Sequence, residues 1–250
     1  AITDYGFDAL LRLNSEKSSQ TKAYDYDGVG NRLSELVNQS AGQSYTYVVN
    51  SNRQNTVGSQ PITLNALGQP DWANGKALSW RADGALLHVG YTNATQSVSV
   101  DYGYNALNQR SSKIVRNTTL SSGAKSTAVL RYTYSPGGQL LRWAWHRSDG
   151  QSGGQSYVWL GNQPVAMLQE EATTHRWVYL HTDQLNAPRF ATNAGKQTVW
   201  RWSHDAFGKG SANTDVDGDK VATDVMLRYP GQLNDNETGL FYNWHRYYNP

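Results

Sequence analysis

The chain has 250 residues, and its 22 Lys and Arg nearly balance its 20 Asp and Glu. The basic residues are scattered, which argues against nucleic acid as a partner. The absence of cysteine excludes disulfides and thiolate metal sites. No apolar run approaches the roughly 18 residues that would indicate a membrane-spanning helix.

The apolar residues predict strands and not helices. Tyr (16) and Trp (9) far outnumber Phe (4) and Met (2). We find no long window with helical spacing of apolar residues, whereas alternation of apolar and polar residues is common. Ser44–Val49, Ser97–Tyr104 and Thr198–Trp202 are examples, rich in β-branched and aromatic residues and bounded by turn residues. The sequence therefore predicts an all-β fold.

One local pattern recurs: two aromatic residues at i and i+2, then Asp or Asn, a glycine turn, and Leu or Arg-Leu. The clearest copy is Tyr24-Asp25-Tyr26-Asp27-Gly28-Val29-Gly30-Asn31-Arg32-Leu33, and weaker copies begin at Tyr5, Leu78, Tyr102, Tyr132 and Trp200. The Asp can bond the backbone two residues on, and a glycine can take the positive φ of a tight hairpin. The two aromatic rings lie on one sheet face. The pattern predicts an array of antiparallel β-hairpins.

Counting strands adds a constraint. Strands of about 5–6 residues joined by short turns would give roughly two dozen strands. Open twisted sheets rarely exceed about ten strands without curling or splitting, so we expect a long curved or spiralling sheet. The Ser/Thr/Gly-rich stretches 15–22, 117–128 and 148–155 are interpreted as hairpin tips or long turns.

From about residue 157 the chain carries longer, more specific motifs. They are His181-Thr182-Asp183-Gln184-Leu185-Asn186-Ala187-Pro188-Arg189, Ser203-His204-Asp205-Ala206-Phe207-Gly208, Leu227-Arg228-Tyr229-Pro230-Gly231-Gln232 and the stretch 235–250. In this order they resemble the "HTDxLGTPR", "YDAFG", "LRFPGQ" and "DxETGLYYNxxRYYDP" blocks of the Rhs/YD-repeat family, whose "YxYDxxGRL" repeat resembles the first half. The resemblance implies two regions of one continuous sheet, a repeat array (1–156) and the C-terminal region of an Rhs core (157–250).

The resemblance also implies a function. In that family the repeats form a hollow β-shell around a toxic C-terminal domain or a subunit of insecticidal toxin complexes. We therefore expect a non-catalytic shell segment, with an effector polypeptide or the rest of the same chain as its partner. It would be secreted, or delivered into a target cell by a bacterial secretion system. The family's "DPxGL" self-cleavage segment is not found before Pro250, so we assign no autoproteolysis here and interpret the chain as a fragment.

The motif positions that the resemblance marks are assigned structural roles. They are Tyr24, Asp27, Gly28, His181, Asp183, Pro188, Arg189, Asp205, Phe207, Gly208, Arg228, Pro230, Gly231, Gln232, Glu237, Gly239 and Arg246.

Three other functions remain open. Asp215, Asp217 and Asp219 have the spacing of the first half of a calcium loop. However, the glycine stands at position 4 of that loop instead of 6 and position 12 is Met226 instead of Glu, so a solvated acidic turn is the alternative. His181 with Asp183, or His204 with Asp205, could form a general base, yet no nucleophile motif accompanies them. The nine Trp could bind surface glycans if they were exposed, instead of packing between layers. We expect no cofactor other than this possible calcium.

Overall fold

The computed structural model describes residues 3–171 and 173–250. These residues form twenty-four β-strands and no helix, so the described chain offers no helix that could cross a membrane. Strand pairs are antiparallel throughout, which confirms the all-β hairpin array and the approximate strand number. The chain divides into two compact units, Ala1–Leu78 and Ser79–Pro250. The boundary expected between the repeat array (1–156) and the C-terminal region (157–250) falls inside one strand, Ser152–Leu160. That these two regions differ in the type of sequence motif stays a prediction.

In the first unit, consecutive strands pair in chain order from β1 to β7, and β8, β9 and β10 follow as a further meander, with β10 crossing the unit boundary. Their bounds are β1 Asp4–Phe7, β2 Leu13–Lys17, β3 Thr21–Tyr26, β4 Arg32–Val37, β5 Ser40–Tyr47, β6 Gln54–Val57, β7 Gln60–Pro61, β8 Thr63–Leu64, β9 Pro70–Ala73 and β10 Lys76–Trp80.

In the second unit, the strands from β11 to β21 pair consecutively, and β22 to β24 form a separate three-stranded sheet. Their bounds are β11 Leu86–Thr92, β12 Gln96–Tyr104, β13 Arg110–Thr119, β14 Lys125–Tyr134, β15 Leu140–Arg147, β16 Ser152–Leu160, β17 Gln163–Glu171, β18 Thr174–Thr182, β19 Pro188–Thr192, β20 Thr198–Trp202, β21 Ala212–Asn213, β22 Leu233–Asp235, β23 Leu240–Asn243 and β24 Arg246–Tyr248.

The acidic residue of the repeat closes the hairpin turn. Asp27 Oδ1 accepts the backbone N–H groups of Val29 (3.0 Å) and Asn31 (2.8 Å). The positive φ of this turn belongs to Gly30 (φ 92°) and not to Gly28. The same acceptance of backbone N–H groups at i+2 and i+4 is made by Asp8, Asn65, Asn105, Asp183 and Asp205.

The second aromatic residue of a repeat ties its strand to the hairpin before it. The Tyr26 hydroxyl donates to the Leu13 carbonyl (2.6 Å), and the Tyr104 hydroxyl donates to the Leu86 carbonyl (2.9 Å). In each case the acceptor is the first residue of the strand that follows the preceding hairpin turn. The ring thus contributes packing area while its polar tip satisfies a backbone group.

The strands in the middle of the second unit are longer than predicted. β13 and β14 have 10 residues each, so the tip expected over 117–128 contracts to residues 120–124. The predicted tip at 148–155 likewise loses its second half to β16. Ser and Thr occur both in turns and in strands. Here they extend the strands, because pairing with the neighbouring strand decides their conformation.

The turn chemistry predicts a stability loss for Asp205→Ala. Asp205 is buried, and its Oδ1 accepts the N–H groups of Phe207 (3.0 Å) and Lys209 (2.9 Å). Removing it leaves backbone donors unsatisfied, so we expect a loss of about 1–3 kcal/mol in the free energy of unfolding. Urea unfolding followed by tryptophan fluorescence measures this. Asp205→Asn, which retains an acceptor oxygen, should lose less than half as much, and equal losses would contradict the account.

Candidate functional site

The C-terminal segment, defined as residues 223–248, packs on one face of the sheet in the second unit. Met167 and Val178, paired on β17 and β18, are both fully buried on that face. The core continues from strand residues into the segment itself. Its buried members are Leu130, Tyr132, Leu140, Trp143, Tyr157, Met167, Val178, Leu180, Ala187, Ala191, Val199, Trp200, Trp202, Val225, Met226, Leu227, Leu233, Phe241 and Tyr242.

Charged side chains join β13 to this segment in what we call the buried ion cluster: Arg110, Lys113, Asp235 and Glu237. Arg110 pairs with Asp235, and both side chains are 0% exposed. Lys113 Nζ lies 3.2 Å from Asp235 Oδ1 and 2.9 Å from Glu237 Oε1. Two cations therefore face two carboxylates, and the charges of the cluster cancel.

Tyrosine rings enclose the cluster. The Arg110 guanidinium lies 4.3 Å from the ring centroid of Tyr242 and 5.0 Å from that of Tyr132. The Tyr242 hydroxyl accepts the Arg110 backbone N–H (2.8 Å), and the Tyr102 hydroxyl donates to Glu237 (2.8 Å). Cation–π contact and charge-assisted hydrogen bonds both favour the charged forms.

Burial and ion pairing act in opposite directions on the buried ion cluster. Burial raises the pKa of Asp235, but Arg110 and Lys113 lower it by more, so the pKa lies below its usual value of 3.8. Burial lowers the pKa of Lys113, but Tyr132, Asp235 and Glu237 raise it by more. Burial raises the pKa of Tyr242 to about 12. Asp235 and Lys113 are thus both charged at neutral pH, and their pairing clamps the C-terminal segment to β13.

The His–Asp pairs considered from the sequence are not brought together as a general base. His181 Nε2 lies 3.0 Å from Thr192 Oγ1, and its ring stacks on Phe190 at 4.3 Å. Asp183 Oδ1 accepts turn N–H groups, and its Oδ2 lies 3.5 Å from Arg189. These contacts are the structural ones expected for a hairpin turn.

The second pair is arranged in a similar way. His204 Nδ1 donates to the backbone carbonyl of Asp205 (2.6 Å), not to its carboxylate. The ring packs on Trp202 with 3.8 Å between centroids. Burial lowers the pKa of His204, so packing against aromatic rings favours the neutral imidazole.

The remaining motif residues lie in turns and on strands, within the C-terminal segment and outside it. Gly231 (φ 79°) and Gly239 (φ 76°) take the left-handed conformation, and a Cβ at Gly208 (φ 87°) would lie 2.8 Å from the Tyr229 ring. The Phe207 carbonyl accepts the Tyr248 hydroxyl (2.6 Å). Tyr24 is buried in the first unit, and Arg246 is exposed on β24. Gln232 donates its N–H to the Tyr229 carbonyl. Pro188 and Pro230 line an apolar cavity of about 220 Å³.

The three aspartates of the acidic turn do lie together. One oxygen from each of Asp215, Asp217 and Asp219 falls within 4.8 Å of the others. Asp217 and Asp219 are exposed, Asp219 Oδ1 accepts the Val221 N–H (2.7 Å), and its other oxygen is 3.9 Å from Arg176. A solvated turn accounts for Asp217 and Asp219, whereas Asp215 Oδ1 is buried with no hydrogen-bond partner in the described part of the chain. Calcium binding stays a prediction.

The tryptophans do not form an exposed row. Trp143, Trp200 and Trp202 are buried, whereas Trp72 and Trp177 are exposed. The other four are partly buried. Most indoles therefore serve packing.

Comparison with known proteins places the fold. No protein-family model matches the chain. Over 126 residues it is 37% identical to Double-stranded DNA deaminase toxin A of Burkholderia cenocepacia, covering 50% of this chain and 8% of the relative. Over 260 residues it is 25% identical to Toxin subunit YenC1 of Yersinia entomophaga, covering 95% of this chain and 26% of the relative.

Two solved structures carry the same architecture. The crystal structure of TcdB2-TccC3-Cdc42 matches 99% of this chain with a TM-score of 0.73, and the Photorhabdus luminescens Tc holotoxin pore matches 98% with 0.76, both at 17% identity. The resemblance to Rhs-related toxin proteins is confirmed. This chain spans 14% and 13% of those two structures, and about a quarter or less of the two toxin relatives.

The buried ion cluster predicts a contrast between two aspartates. Asp235→Asn leaves Arg110 and Lys113 buried with too little negative charge, and we expect a loss of about 3–5 kcal/mol. Asp101→Asn breaks an exposed pair with Arg116 on a side chain that is 45% exposed, and should cost less than about 1 kcal/mol. Urea unfolding of both variants is the measurement. Similar losses in the two would show that the cluster does not hold the segment.

The same cluster predicts an acid-dependent part of stability. Because the folded pKa of Asp235 lies below 3.8, its stabilisation is present above the unfolded pKa of about 3.9 and is lost as the pH falls through the folded value. Unfolding midpoints between pH 6 and pH 2 should therefore fall more steeply in the parent than in Asp235→Asn. Parallel slopes would contradict this.

Proposed function

We propose that this chain is a non-catalytic scaffold segment that shields or displays an effector polypeptide belonging to a toxin. The observation that carries the proposal is the continuous strand array of the second unit with a chain segment clamped across one face by the buried ion cluster. A sheet of this kind offers a large rigid wall whose backbone groups are paired with one another.

The relatives support this role. Toxin subunit YenC1 matches along nearly the whole chain, and two of the solved structures that share the fold are TcdB2-TccC3 complexes. Fold alone does not define function, but residues of the most specific sequence motifs form turns and the buried ion cluster.

The local chemistry supports the absence of catalysis. The two His–Asp pairs are engaged in turn bonds and ring contacts. In each pair the aspartate caps a turn, so neither carboxylate orients the neighbouring imidazole as an active general base requires.

Protease protection tests the proposal on the complete product of the gene. Trypsin digestion in native buffer and in 6 M urea is followed by mass spectrometry. We expect peptides from any polypeptide outside residues 1–250 to be released at least tenfold more slowly in native buffer. Asp235→Asn, assayed where its second unit is unfolded, should abolish this protection.

His181→Ala is the matched control, since it alters an exposed ring of the sheet. It should leave both the protection and any toxicity unchanged within twofold. Native release as fast as in urea would contradict the scaffold role. Loss of toxicity in a folded His181→Ala protein would contradict the absence of catalysis.

A further inference from the structure

The apolar cavity of about 220 Å³ lies between three neighbouring hairpin turns of the second unit and the C-terminal segment. Three aromatic residues, Tyr134, Trp159 and Tyr229, line it together with the buried Leu140 and Pro188. Pockets for drug-sized ligands measure about 300–1,000 Å³, so this smaller cavity suits a ligand of a single ring. None of the motif-based assignments gives the cavity a role.

Three side-chain amides line this cavity, one from each of the three turns. They belong to Gln139, Asn162 and Asn186. Gln139 Nε2 donates to the Gly161 carbonyl (2.7 Å) and to Asn162 Oδ1 (3.5 Å), which leaves Gln139 Oε1 and Asn162 Nδ2 without partners among the described residues. The side-chain amide of Asn186 likewise makes no hydrogen bond within the described chain. The cavity therefore offers a ligand both hydrogen-bond donors and acceptors.

Hydrogen bonds to the backbone fix two of the aromatic side chains in the cavity wall. Trp159 Nε1 donates to the Leu140 carbonyl (2.9 Å), and the Tyr229 hydroxyl donates to the Ala206 carbonyl (3.1 Å). A ligand therefore meets a preformed aromatic wall, and little free energy is needed to order it.

The cavity favours a neutral ligand. Among the described residues that line it, Arg228 alone is charged. Its Nη1 donates to the carbonyls of Val225 (2.6 Å) and Leu227 (2.9 Å), and the neighbouring Asp224 offsets its charge. Neither a cation nor an anion would therefore find an uncompensated charge in the wall.

We propose that this cavity binds one neutral pyranose ring of a carbohydrate. The C–H groups of such a ring form an apolar face that packs on aromatic side chains. Its hydroxyl groups are each a donor and an acceptor, and they match the three amides. A purely apolar ring would displace water from the amides without replacing its hydrogen bonds. The proposal stands on this cavity and does not depend on the scaffold role.

Saturation-transfer NMR titration of the full chain tests the proposal. The probes are the methyl pyranosides of glucose, galactose, mannose and N-acetylglucosamine. Cyclohexanol and N-acetylphenylalaninamide serve as an apolar ring and as a peptide side chain for comparison. We expect at least one methyl pyranoside to bind with a Kd below about 10 mM, and at least tenfold more tightly than either comparison compound.

Two variants of the cavity wall and one matched control locate the binding site. Asn186 has a positive φ (63°), so Asn186→Gly removes its amide without straining the turn. Asn186→Gly and Asn162→Ala should each weaken binding of the best pyranoside at least threefold, and together at least tenfold. Asn50 also has a positive φ (58°), in an exposed hairpin turn outside the cavity. Asn50→Gly should leave the affinity unchanged within twofold.

Three results would each overturn the proposal. The first is no binding of any pyranoside at about 50 mM. The second is binding of cyclohexanol or N-acetylphenylalaninamide as tight as that of the best pyranoside, which would assign the cavity to an apolar group or to a peptide side chain. The third is equal affinity of the parent and the double variant for that pyranoside.

Discussion

Burying a carboxylate away from water costs much free energy unless it is paired or hydrogen-bonded, and in the second unit two cations meet this condition for Asp235. Arg110 and Lys113 supply the charge from β13, more than 120 residues earlier in the chain. Docking of the C-terminal segment buries these charges together, and loss of either partner in the docked state leaves the other charge buried and unpaired. The tyrosine rings around Arg110 exclude water and raise the cost of separation.

The hairpin array itself follows from local chemistry. An Asp or Asn that accepts two backbone N–H groups, followed by a residue with positive φ, closes each turn independently of its neighbours. Aromatic side chains then join one hairpin to the next through backbone carbonyls, as Tyr47 does with Arg32 and Trp159 with Leu140. The same short signal can thus build a long sheet, and the chain needs long-range charge pairing only where the array meets the C-terminal segment.

This division explains what the sequence could and could not predict. The all-β fold, the hairpins and the strand number follow from period-2 patterning and turn residues, which are local. The sequence does not tell which glycine takes the positive φ, since Gly28 and Gly30 look alike until the i to i+4 turn is known. Arg110 and Lys113 were missed because an inward-facing cation on a strand has no local signature. Only the register shows that Lys113 lies opposite Tyr102 and that Arg110 lies opposite Tyr104.

The central claim is that the C-terminal segment is part of the sheet's core and not an appended tail. Hydrogen–deuterium exchange measured by mass spectrometry tests it directly, because amides in one cooperative unit share their slowest exchange. The account predicts that peptides covering residues 225–243 exchange as slowly as those from β13 to β18. Rapid exchange of 225–243 while β13 to β18 stay protected would show that the clamp does not hold.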